Sequence, residues 1–226
     1  FLRLSSNTNW IIMVREPLQA CESSLSDSFR NYDYNKITSK IYRALFDVDC
    51  AIYQNNSSIG VRLEDLKEHP KKTIPAVCEW LGIKMNDSMY QMTAQGKKWW
   101  GDPSSPDYRK SGMDPFGKTP INRKLGSIFS KNDQLILHTL FYPFSVRFGY
   151  TEENLDQFKN DLRTIRPMIN QMFDFEKKII QETQMNREIF MKSGPYLFLR
   201  SGMIERWNTL NKFYTYHNML SPLKIS

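Results

Sequence analysis

The stretch NWIIMVREPLQACESSLSDSF, Asn9 to Phe29, sets five apolar residues directly against an arginine and brings a serine, Ser23, eight positions later. The guanidinium of Arg15 is permanently charged and presents a fork of donors matched to phosphate or sulfate oxygens. A hydroxyl carried to the same side by a following helix can donate to a second oxygen of the same anion, so the pair makes a clamp. The plainer reading is that Arg15 pairs with a carboxylate and Ser23 is an exposed helix residue. A second group lies further along, where Lys97, Lys98, Arg109 and Lys110 are interleaved with Trp99, Trp100 and Tyr108. Cations among aromatic faces suit stacking on single-stranded bases or on a sugar face; a solvated basic loop is the alternative.

Other reactive residues are scattered. His69 stands beside a proline at a helix start, His138 on a helix and His217 near the end; each alone reads as a surface or core residue rather than a base. Glu64 and Asp65 are adjacent, and adjacent residues on a strand point to opposite faces, so they read as helix-capping carboxylates that pair with nearby Lys or Arg. The three cysteines, Cys21, Cys50 and Cys78, form no CxxC pair and no metal-ligand spacing, and an odd count excludes a complete disulfide set. All three are expected as buried free thiols, and no metal is expected.

A clamp needs a strand and a helix to hold it. Asn9 to Val14 reads as a short, fully buried strand. Pro17 suits a first helical turn, and Leu18, Cys21, Leu25 and Phe29 predict an amphipathic helix to about Asn31. A second helix is expected over Lys36 to about Gln54. Ser58 to Leu63 reads as a second strand, followed by a helix starting at Pro70 and stopping at Gly82. This alternation predicts an α/β parallel sheet, and a strand that ends on an arginine presents it at the carboxyl edge, where ligands of such sheets bind.

From Thr93 to Pro120 no period is visible, which marks a long loop. Helices are expected over 121–129 and 132–148. A long helix from Glu152 to Gln184 follows, kinked at Pro167, and then a helix over Pro195 to Met219 that packs back on the domain or on a partner subunit. The division is residues 1–150 as an α/β domain and 151–226 as a helical extension. The 226 residues carry a net charge of +7 with 40% hydrophobic and 24% charged residues, which favours anionic partners. No run of about 18 apolar residues is present. FLRLSS is too short to begin a domain, and further sequence is expected upstream.

IIMVREPLQACESSLSDSF resembles the cofactor-binding segment of the sulfotransferases, an apolar strand, Arg, an acidic or amide residue, Pro, and Ser eight positions after the Arg. SIGVRLEDLKEHPKKTIPAVCEWLGI is similar to their next landmark, a strand, Tyr-Glu-Asp-Leu and a proline-started helix. TAQGKKWWGDPSS and VRFGY are similar to the tail of the more divergent members. The resemblance covers about Trp10 to Tyr150. It implies a three-layer parallel α/β sandwich related to the P-loop kinases, with a mostly helical extension. It implies transfer of a sulfuryl group from 3′-phosphoadenosine 5′-phosphosulfate (PAPS) to a hydroxyl or amine acceptor, a glycan or a small molecule, leaving adenosine 3′,5′-bisphosphate. Arg15 and Ser23 then match the residues that hold the cofactor's 3′-phosphate. YRKSGMDPFG, with Arg109 and Lys110, is similar to the loop that closes over it, Lys97 and Lys98 being rivals.

The departures are as informative. No 5′-phosphosulfate loop and no family base are seen, so the catalytic residue is unassigned, and Leu63 replaces the usual tyrosine. The expectation is the carboxyl-terminal part of a sulfotransferase. The rival readings are a catalytically inactive interaction domain working through its helical tail, which could also make a homo-oligomer, and, less favoured, a single-stranded nucleic-acid binder. Cytoplasm and Golgi lumen are both open.

Overall fold

The computed structural model describes residues 8–50, 53, 57–91, 93–95, 97–98, 116–117, 121 and 125–225. Among them, the two continuous apolar runs become strands. Trp10–Val14 (β1) pairs in parallel with Ser58–Arg62 (β2), Trp10 opposite Ser58 and Val14 opposite Arg62. β2 is buried on both faces from Ser58 to Val61, as a parallel strand should be. Its far edge carries a bridge from Gly60 to Pro222. β1 corrects the expectation of a fully buried strand: Ile11 and Met13 are 40% and 48% exposed while Val14 is buried. Alternation sends Ile11 and Met13 to one face, which the described residues leave half open.

Among the described residues the three-layer parallel sheet is not there: they are mostly helical, and their parallel sheet has two strands. A short antiparallel hairpin, Thr93–Ala94 (β3) with Lys97–Lys98 (β4), turns at Gln95. The physical reason is periodicity. After β2 most apolar residues recur at helical rather than alternating spacing, so they build helix faces and supply few further strands.

The chain gathers into two compact units, each made of separated stretches. The first holds the described residues of Phe1–Val14, Ser57–Arg123 and Pro222–Ser226. In it β2 runs straight into Leu63–Glu68 (α3), followed by Pro70–Leu81 (α4). Glu64 and Asp65 lie in the first turn of α3, where carboxylates favour the helix dipole, and Asp65 sits 3.6 Å from Arg62. The buried Thr73 hydroxyl donates to the carbonyls of Asp65 and His69, tying α4 back to α3. Gly82, with φ 66°, ends α4 in the left-handed conformation that favours glycine.

The second unit, Arg15–Asn56 and Lys124–Ser221, is helical. Pro17–Arg30 (α1) and Tyr34–Asp47 (α2) precede Lys131–Arg147 (α5), Leu155–Ile165 (α6), Asp174–Thr183 (α7), Arg187–Met191 (α8) and Gly194–Phe213 (α9). Leu25, Ile37, Ile41, Leu45, Leu137, Leu140, Phe158, Phe175, Leu199 and Met203 are fully buried and form its core. The single helix expected over 152–184 is two. Pro167 has no N–H to continue the ladder of α6, and the buried Asp133 restarts the chain by accepting the N–H groups of Asp174 (2.8 Å) and Phe175 (3.2 Å) at the start of α7.

The helix expected over 121–129 is absent from its described part, because the N–H groups of 126–128 are taken by Glu22. α2 stops at Asp47, and Asp49 just beyond it holds Arg206 of α9 in a two-pronged ion pair, both contacts 2.8 Å. Cys21 and Cys78 are buried free thiols, but Cys50 is exposed. No described helix is long and apolar enough to cross a membrane.

Candidate anion-binding site

Arg15 follows β1 directly and is half-buried, and one residue later Glu16 caps α1. The Glu16 carboxylate accepts from the N–H groups of Leu18 (3.1 Å) and Gln19 (2.6 Å). The negative charge that a helix N-terminus attracts is thereby supplied by the chain itself. Arg15 reaches past this cap: its Nη2 donates to the Gln19 side-chain oxygen at 3.1 Å. Gln19 and Ser23 are four positions apart on α1, hence on one face and about 6 Å apart along the axis. Ser23 is half-buried as well. The guanidinium, the Gln19 amide and the Ser23 hydroxyl thus follow one another along a single strip of α1.

Behind that strip lies a second polar arrangement that sequence reading missed. Glu22, 4% exposed, accepts hydrogen bonds from the backbone N–H groups of Gly126 (3.1 Å), Ser127 (2.8 Å) and Ile128 (3.3 Å), and from the Ser127 hydroxyl. Successive N–H groups curled around one point form an anion nest, and Gly126 adopts the φ of 101° that the curl needs. Burial alone would raise the Glu22 carboxyl; the hydroxyl and the three N–H groups outweigh it and hold Glu22 below its ordinary value. No local signal announces this contact, because the partners lie more than one hundred residues along the chain.

Two further ionic knots are structural. Glu176, fully buried, receives the Tyr34 hydroxyl at 2.5 Å, the Phe173 N–H at 2.8 Å and the guanidinium of Arg200, which lies over the rings of Phe173 and Tyr196. They join α2, α7 and α9. Arg206, held by Asp49, lies over the rings of Phe46 and Tyr216. Burial pushes the Cys21 thiol up to about 12, so it is inert as a nucleophile.

Arg109 and Lys110, and with them Trp99, Trp100 and Tyr108, lie outside the described residues. Lys97 is exposed on β4. The histidines are dispersed: His69 is exposed between α3 and α4, His138 is half-buried on α5, and His217 packs edge-on against Phe213. Among the described residues no group of three or more His, Cys, Asp or Glu side chains could hold a metal ion. No family model, no curated protein and no solved structure matches the chain.

Proposed function

We propose that this chain binds the 3′-phosphate of PAPS through Arg15 and Ser23 and serves sulfuryl transfer to a hydroxyl or amine acceptor, as the sulfotransferases it resembles do. The observation that supports this best is the Arg15–Gln19 hydrogen bond, which lays the guanidinium along the strip of α1 that carries Ser23. A monoester phosphate has nearly two negative charges and three oxygens, and a fork held at Gln19 plus a hydroxyl one turn beyond Gln19 offers donors of different reach. Gln19 joins the site on this reading: it restrains the long arginine side chain before the anion arrives, which lowers the ordering cost of binding. The reading rests on these residues and not on a three-layer sheet. The base that activates the acceptor is unassigned.

The test is calorimetric titration with adenosine 3′,5′-bisphosphate and with adenosine 5′-monophosphate. The bisphosphate should bind more tightly, and Arg15→Ala should weaken it by tenfold or more, the order of magnitude of one or two charge-assisted hydrogen bonds. The monophosphate should be little affected. Equal loss for both nucleotides would place Arg15 elsewhere than on the 3′-phosphate.

One observation favours the interaction-domain reading as the alternative: Ile189 of α8 and Leu197 and Phe198 of α9 are 69%, 54% and 48% exposed. Large apolar residues left open on neighbouring helices suit a protein contact, including one with a second copy of the chain.

A further inference from the structure

A cavity of about 240 Å³ opens in the helical unit between α7 and the start of α8, lined by Met172, Lys177, Ile180, Gln181 and Arg187. Its floor is apolar: Met172 is buried and Ile180 half-buried. Its rim is polar and cationic, with Lys177, Gln181 and Arg187 all exposed. Lys177 is partly engaged, its ammonium lying 2.6 Å from Asp174. Arg187 is the more available cation, since among the described residues no carboxylate lies within ion-pairing distance of it. The backbone beneath it is fixed, because the Asn186 side chain accepts the N–H groups of Glu188 (2.9 Å) and Ile189 (3.1 Å) and pins the first turn of α8.

We propose that this cavity is a binding site for a small amphipathic anion, an aromatic or short aliphatic body bearing one sulfate, sulfonate or carboxylate group. The volume equals about eight water molecules and is smaller than the pockets that hold drug-sized ligands, so the body is no larger than one or two rings. The apolar part lies on Met172 and Ile180. The anionic head is gripped by the Arg187 fork, with Gln181 donating and Lys177 adding charge. Arg187 rather than Lys177 gives the orientation, because a guanidinium offers two parallel donors to an oxyanion. This site shares no residue with the Arg15–Ser23 strip and stands independently of the sulfotransferase reading.

Naphthalene-2-sulfonate is the probe, titrated calorimetrically into the full chain, with neutral 2-naphthol as the control. The wild type should bind the sulfonate saturably and the naphthol several-fold more weakly. Arg187→Ala should weaken the sulfonate by about tenfold, and Gln181→Glu, which sets a carboxylate beside the head group, should do the same. Both residues are exposed, so both variants should keep the wild-type circular dichroism spectrum. Arg15→Ala should bind the sulfonate as the wild type does. Absence of saturable binding, equal affinity for sulfonate and naphthol, or unchanged affinity in both rim variants would overturn the proposal.

Discussion

At the scale of single residues, charge in this protein is used where an uncharged partner would leave donors unmet. Glu22 is the sharpest case, one carboxylate satisfying three backbone N–H groups and a hydroxyl of the 126–128 segment. Glu22→Gln keeps one acceptor oxygen but turns an amide N–H₂ toward the same donors, and should destabilise the fold by about 1–3 kcal/mol. The native value lies below the ordinary 4.5, so the ionised carboxylate is favoured in the folded state. Its contribution is fully present above pH 4.5 and is lost as pH falls through the lower native value. Denaturant unfolding of both proteins across that acid range checks this: the stability gap should be constant near neutrality and close on acidification. The places of Arg15, directly after a strand, and of Ser23, on a proline-started helix, are legible from sequence because both follow local rules. The roles of Gln19 and Glu22 are not: the first matters only once Arg15 has folded over it, and the second meets partners from a distant segment.

At the scale of elements, local spacing read the helices well and their ends poorly. α1 and α5 fall close to their expected bounds because their caps are local: Glu16 with Pro17 for the first, the reciprocal Ser130–Asp133 capping box for the second. Between α6 and α7 the sequence predicts a kink at Pro167 rather than a break, because the apolar stripe continues through it. What separates the helices is Asp133, a residue of α5, which captures the first N–H groups of α7. The contact of α2 with α9 depends on a missing side chain. A Cβ built on Gly202 would stand 2.6 Å from the Tyr42 ring, and that ring is stacked with both Phe46 and Phe198. Gly202→Ala gains helix propensity worth about 0.5–1 kcal/mol. The ring cannot swing aside without breaking its stack, and overpacking of this kind costs about 1–3 kcal/mol. Thermal unfolding should therefore show a lower midpoint for Gly202→Ala, and an unchanged or higher one would mean that α9 shifts freely over Tyr42.

At the scale of the whole molecule, the strand–helix alternation near the start of the chain points to a layered sheet, whereas the described residues are largely helical, with one parallel strand pair among them. The alternation was real as far as β2; it could not say how many strands would follow, because strand pairing is a non-local property and the remaining apolar residues repeat at helical spacing. The net charge of +7 raises the local concentration of anions generally but selects none, so the central claim falls to the geometry of α1. A double-mutant cycle tests it most directly: affinity for adenosine 3′,5′-bisphosphate in the wild type, Arg15→Ala, Ser23→Ala and the double variant. If both side chains grip one phosphate, their losses are not additive and a coupling energy of at least about 0.5 kcal/mol appears, vanishing when adenosine 5′-monophosphate is the ligand. Strictly additive losses, or the same coupling with the monophosphate, would contradict the account.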